Sequence, residues 1–204
     1  MDMIEKYKLL YDREQVQRQI GRVASEITAR YDGGERPLFV SLMRGAVPFT
    51  AQLMTEITRQ APNFDPEVDY MTTSRYSDSA IAKDRAEIVM GVCPDTEVDG
   101  RPTVIIDDVL DMGETVKTVR EYLRDLGATS VNLAVLVNKD VPTRDPSVQA
   151  DFIGFHNPAN EWLVGMGMAD GALKKEARRW DDQIWVVEPG ENSDELLKTP
   201  SLVH

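Results

Sequence analysis

Residues 104–119 read VIIDDVLDMGETVKTV, a short span that holds three aspartates and a glycine turn. Asp107 and Asp108 are adjacent, Asp111 follows three residues on, and Met112, Gly113, Glu114 and Thr115 lead into a helical pattern. Carboxylates accept hydrogen bonds from sugar hydroxyls or hold a divalent cation. The N–H groups at a helix start, with the positive end of its dipole, hold phosphate. Acids beside a phosphate cradle therefore suit a sugar phosphate. Two other readings compete for the acids alone. One is a strand ending in solvated carboxylates; the other is the metal-binding strand of an NTPase, which requires a G-x-x-x-x-G-K-[ST] loop that this chain lacks.

These residues must be positioned by the elements around them. The apolar run before Asp107, rich in β-branched residues, predicts a buried parallel strand, and ligands in open α/β sheets bind at the C-terminal ends of such strands. Val16, Ile20, Val23, Ala24 and Ile27 fall on one helical face over 12–31, and Gly33-Gly34 stops that helix. Residues 37–42 (PLFVSL) predict a strand, 43–46 its exit loop, and a helix follows through Leu53 and Ile57. Strands are expected at 68–73, antiparallel at 87–92, at 131–137, and in short runs at 152–155, 162–164 and 184–187. Residues 74–84 show no clear period, and Asp99-Gly100 signals a hairpin. Val116, Val119, Leu123 and Leu126 mark a helix that ends at Gly127. Alternating helices and strands predict an α/β fold with a central, mainly parallel sheet. Arg44, the Asp107–Asp108 pair and Asn138-Lys139 each follow a strand, so a parallel sheet gathers them along one edge.

Composition narrows the classes of function. The chain has 204 residues, a net charge of −12 and a sequence pI near 4.6. One domain is expected over 1–188, with 189–204 an acidic, flexible tail. So acidic a chain is poorly suited to nucleic acid or an anionic membrane, and a phosphorylated ligand must be held by local donors. A single cysteine, Cys93, excludes an internal disulfide and fits a reducing compartment, so a cytoplasmic location is expected. The first residues, MDMIEKYKLL, lack the apolar run of a signal peptide, and no apolar run reaches the length of a membrane span.

The 104–119 stretch resembles the motif by which type I phosphoribosyltransferases bind 5-phosphoribosyl 1-pyrophosphate (PRPP). Four further segments carry the resemblance in order. Residues 41–49 (SLMRGAVPF) resemble the pyrophosphate loop of hypoxanthine-guanine phosphoribosyltransferases, with Arg44 and Gly45 in its places; the family's pattern implies a cis Met43–Arg44 bond. Residues 68–77 (VDYMTTSRYS) resemble the start of a closing catalytic loop, with Arg75-Tyr76 where many members have Ser-Tyr. Lys139 follows its strand as the family's base-reading lysine does, and 150–165 resembles the base-stacking segment, with Trp162 in the stacking place. His156 has no partner at motif spacing and reads as structural.

The resemblance covers about 12–175. It implies a Rossmann-like sheet with a small hood, and transfer of a phosphoribosyl group from PRPP to a 6-oxopurine. In it, Asp107 and Asp108 hold the ribose hydroxyls directly or through Mg2+, and Met112, Gly113, Glu114 and Thr115 form the phosphate loop. Asp111 bonds the purine N7 and acts as general base, Arg44, Gly45 and Tyr76 serve the pyrophosphate and the lid, and Lys139, Trp162 and Leu163 hold the base. A dimer or tetramer is implied. Three positions depart from the pattern. Met112 replaces a hydroxyl residue. Ala169 falls where a magnesium-binding aspartate is usual, with Asp170 one place on. Lys175 falls where an arginine meets pyrophosphate, with Arg178 and Arg179 nearby. These departures keep two alternatives open: transfer to xanthine or a pyrimidine, and a PRPP- or nucleotide-sensing regulator on the same fold.

Overall fold

The computed structural model describes residues 7–76, 82–158, 161–169, 176 and 178–187, with backbone alone at 75, 76 and 82–85. The expected tail at 189–204 lies outside the described residues. Six strands form the main sheet, in the order β4-β3-β2-β5-β6-β7. They are β2 (Leu38–Met43), β3 (Glu67–Tyr76), β4 (Ala82–Met90), β5 (Pro102–Leu110), β6 (Ser130–Lys139) and β7 (Phe152–Asn157). All neighbours run parallel except β4, which pairs antiparallel with β3. From β2 the chain passes through α2 (Val47–Gln60) to β3 on one side, then returns with β5 to the other side of β2. That reversal opens a crevice between the ends of β2 and β5, where open α/β sheets bind ligands.

Side chains alternate across the sheet, as the two-residue strand period requires. Phe39, Val104, Ile106 and Leu136 pack with Ile20 and Ile27 of α1 (Arg13–Arg30) and with Phe49 and Leu53 of α2. Val40, Ile105, Leu133 and Val135 face the other way, onto Val116, Val119 and Leu123 of α3 (Glu114–Asp125). Asp12 caps α1: its carboxylate accepts from the Gln15 N–H (2.8 Å), and the Gln15 side chain accepts from the Asp12 N–H (2.9 Å). No helix among the described residues is long and apolar enough to cross a membrane.

A second sheet of three antiparallel strands has the order β1-β9-β8, from β1 (Tyr7–Tyr11), β9 (Ile184–Val187) and β8 (Leu163–Val164). It supplies the hood expected from the C-terminal segment, but one edge comes from β1, which the charged N-terminal pattern concealed.

Four other sequence expectations need correction. Asp99-Gly100 makes a tight turn, with Gly100 at φ +73° and the Arg101 N–H donating to the Val98 carbonyl, yet it closes no hairpin. The strand that follows, β5, pairs with β2 and β6, because a buried apolar strand gains more between two neighbours than beside the polar β4. The period-free stretch at 74–84 contains the end of β3 and the start of β4. Leu126, assigned to the buried stripe of the third helix, is exposed beyond the end of α3. Lys139, expected just after its strand, is the last residue of β6.

Candidate active site

The pairing of β2 with β5 ends at Ser41 and Ile106. β5 itself continues to Leu110, so Asp107 and Asp108 lie inside a strand but past the reach of its β2 neighbour. Both are buried. The Asp108 N–H donates to Asp107 Oδ1 (3.0 Å), and the Val109 N–H donates to Asp108 Oδ1 (2.9 Å). Burial, and then the neighbouring Asp108 charge, push the Asp107 carboxyl well above the usual carboxylate range. Two adjacent buried carboxylates are poorly balanced by themselves; a cation or a set of hydroxyl donors relieves them.

Opposite them lies the loop after β2. The Met43–Arg44 peptide is cis, as the resemblance implied. A Cβ at Gly45 would lie 2.2 Å from Asp108 Oδ2, so only glycine fits against this carboxylate. The loop after β8 closes on the same point. Gly167 has φ +98°, and a Cβ there would lie 1.7 Å from the Gly45 carbonyl oxygen, so the two loops approach each other backbone to backbone.

The cleft so formed is lined by Gly45, Thr73, Asp107, Asp108, Asp111, Thr115, Lys139, Trp162, Leu163, Ala169 and Arg179, among others. It gathers most of the residues singled out from the sequence. Lys139 is buried and meets Asp111, Nζ to Oδ2, at 3.3 Å. The Trp162 indole N–H donates to the Ala169 carbonyl (2.9 Å), which fixes the ring across the cleft. Gly113 caps α3 in the left-handed region at φ +81°, and the first N–H groups of that helix have no partners within it. Thr115, in the first turn, is buried against the cleft.

Other expected residues stand elsewhere. Arg44 is exposed between two cleft-lining neighbours and does not itself line the cleft. Met112 receives the Thr143 hydroxyl on its sulfur (3.8 Å), and Glu114 pairs with Lys117 (3.4 Å); neither lines the cleft. The Tyr76 side chain, Asp170 and Lys175 lie outside the described residues.

Position separates the two described basic residues here, Arg178 and Arg179. Arg178 turns away and stacks over the Trp185 ring at 3.9 Å. Arg179 is buried in the cleft wall, paired with Glu176 at 3.1 Å, and its Nε has no hydrogen-bond partner among the described residues. Sequence alone left it one of three neighbours, since gapless counting pointed to Lys175.

A family model described as the phosphoribosyl transferase domain matches residues 6–170. The chain belongs to the phosphoribosyltransferase family. It is 32% identical over 161 residues to the hypoxanthine-guanine phosphoribosyltransferase of Streptococcus agalactiae, across 79% of this chain and 84% of that protein. It is 31% identical to the bifunctional protein TilS/HprT of Listeria innocua, but spans only 23% of that longer protein. In fold it is similar to a hypoxanthine phosphoribosyltransferase of Staphylococcus aureus, with TM-score 0.75, 21% identity, and coverage of 95% and 94% of the two chains. As a phosphoribosyltransferase the chain is an enzyme of pentosyl transfer.

Proposed function

We propose that the protein transfers the phosphoribosyl group of PRPP to N9 of a 6-oxopurine, hypoxanthine or guanine, releasing pyrophosphate. The observation that carries this reading is the cleft itself, which holds the acid pair, a helix N-terminus, a buried cation and a lysine beside an indole. Asp107 and Asp108 accept from the ribose hydroxyls. The N–H groups of Gly113, Glu114 and Thr115, with the Thr115 hydroxyl, take the 5′-phosphate, which leaves little need for a hydroxyl at Met112. Lys139 donates to the 6-oxo group; an ammonium donates but cannot accept, so it rejects a 6-amino group. Asp111 accepts from the purine N7 side and takes up the proton there. Trp162 stacks on the ring and Leu163 forms the floor beside it. Gly45 offers backbone donors to the pyrophosphate, Arg179 a charge, and Arg44 a second charge once the ligand brings it in.

A magnesium ion fits the buried Asp107–Asp108 pair, because Mg2+ is bound by one or two carboxylates with substrate oxygens completing its shell. When bound, it neutralises charge on the leaving pyrophosphate. Asp170 is the remaining acid proposed to reach it. Tyr76 is proposed to close over the cleft and exclude water, since water captures an oxocarbenium-like sugar. The reading includes self-association as a dimer or tetramer, for which exposed Tyr70, Val89 and Met90 at the β3–β4 edge supply apolar surface; a one-chain mass by light scattering removes that part.

The test is product formation from PRPP and Mg2+ with hypoxanthine, guanine, xanthine, adenine and uracil, one at a time. Turnover is expected with hypoxanthine or guanine and not with adenine. Use of adenine or uracil alone refutes the base assignment.

A further inference from the structure

We infer that Arg144, in the connection between β6 and β7, is a positioning residue that holds Asp111 and Lys139 at their working separation. The inference rests on the base-side roles proposed above for those two residues.

The pairing of β5 with β6 ends at Leu110 and Asn138. The next residue of each strand is the one that faces the base: Asp111 on one, Lys139 on the other. No ladder bond joins them, and Arg144 takes over where the ladder stops. Its Nε donates to the Asp111 carbonyl (2.5 Å), Nη1 to Asn138 Oδ1 (2.7 Å), and Nη2 to the Leu110 carbonyl (2.9 Å) and the Lys139 carbonyl. One planar group thus ties both strand ends, two residues from each. Only a guanidinium can do this, because its donors diverge from a rigid plane; an ammonium presents its three from one point.

The rest of the connection supports the same loop. Asp145 pairs with Lys117 in the first turns of α3 (2.8 Å) and accepts from Ser147 N–H (2.9 Å) and Oγ (2.7 Å). Thr143 meets the Met112 sulfur. Val148 packs so closely on Gly113 that a Cβ there would lie 2.5 Å from its Cγ1. Residues 143–148 therefore form a brace behind the loop that carries Asp111 and the start of α3. Among the described residues, Gly45 and Arg179 on the pyrophosphate side receive no hydrogen bond or ion pair from this brace.

This asymmetry supplies the test. Arg144→Ala and Arg144→Lys are compared with the unmodified chain in steady-state kinetics with hypoxanthine and PRPP, in equilibrium binding of inorganic pyrophosphate with Mg2+, and in thermal melting. A misplacement of about 1 Å costs on the order of 100-fold in rate. Arg144→Ala is therefore expected to lose roughly 30- to 100-fold in kcat/KM for hypoxanthine, with pyrophosphate affinity unchanged. Arg144→Lys should recover part of this, and added methylguanidinium should restore part of it to Arg144→Ala. Parallel loss of base turnover and pyrophosphate affinity, or an Arg144→Ala enzyme as active as the unmodified chain, overturns the assignment. Should Arg144→Ala fail to fold, Arg144→Lys decides: wild-type kinetics overturn the assignment, and a loss confined to the base side supports it. An unmodified chain that turns over no base defeats the salvage reading instead. The positioning role is then read from inosine monophosphate binding, expected to weaken in Arg144→Lys while pyrophosphate binding does not.

Discussion

Arg179 gives the sharpest prediction, because it lines the cleft and its described neighbour Arg178 does not. Its side chain is 6% exposed, whereas its partner Glu176 is 60% exposed. The Glu176 pair is therefore screened by water and worth at most about 1 kcal/mol. A contact from a buried guanidinium to a charged ligand is worth about 1.5–3 kcal/mol. At 1.36 kcal/mol per tenfold, Arg179→Ala should lower kcat/KM for PRPP by about 10- to 150-fold. Loss of its buried stem and of the Glu176 pair should cost about 1–2 kcal/mol of stability, so the variant remains folded. Arg178→Ala makes the opposite change. It removes the stacking on Trp185 and Tyr7 and should lower the melting temperature with kinetics intact. The assay is pyrophosphate release against PRPP concentration at saturating hypoxanthine, run on Arg178→Ala, Arg179→Ala and Lys175→Ala. If Lys175→Ala is the most damaging of the three, or Arg179→Ala keeps wild-type kcat/KM, the placement of Arg179 at the pyrophosphate is wrong.

Three further outcomes are expected. Gly45→Ala drives a methyl into the Asp108 carboxylate, 2.2 Å from Oδ2, and should cut kcat/KM by about 100-fold; turnover near wild type shows that the loop yields freely. Asp107, held above its ordinary value of 3.8, keeps its proton in the folded chain at pH values where the unfolded chain has lost it. The folded state then binds more protons, and stability falls as pH rises from 3.8 through the raised value. Asp107→Asn should therefore melt about 2–4 °C higher at pH 7, with a flatter pH dependence and no turnover; a lower melting temperature at pH 7 contradicts the account. Trp162→Phe keeps a stacking face but loses the bond to the Ala169 carbonyl, and should raise KM for hypoxanthine roughly 3- to 10-fold. Trp162→Ala should raise it further, and equal values for the two variants exclude stacking.

Much of the site was legible because its chemistry is local. Asp107, Asp108, Asp111 and Gly113 follow one another on a single strand and turn, so a short window of sequence contained the acid pair and the proposed phosphate cradle together. The Arg44-Gly45 turn was legible for the same reason, as were the apolar stripes of α1 and α3, which report burial at a fixed period. Residues whose role comes from a distant partner were not legible. β1 is five residues of mixed charge and apolar character, and it becomes a strand only because β9 pairs with it. Asp99-Gly100 makes the turn its residues favour, but which strand follows is decided by pairing far along the chain. Arg144 looks in sequence like one more loop cation; its significance lies in carbonyls more than twenty residues earlier, at Leu110 and Asp111.

The sequence by itself thus determined the alternating α/β architecture, the strand that carries the acids, the glycine turns and the family. The first three follow from short-range pattern and backbone preference, and the family from the resemblance of its motifs. Only the tertiary structure decided that Arg179, rather than its neighbour Arg178, enters the cleft. It alone brought Lys139 to Asp111, seated the Gly45 loop against Asp108, and made Arg144 the tie between two strand ends. Such placements depend on which strands pair and how closely two loops approach, and no local spacing encodes either.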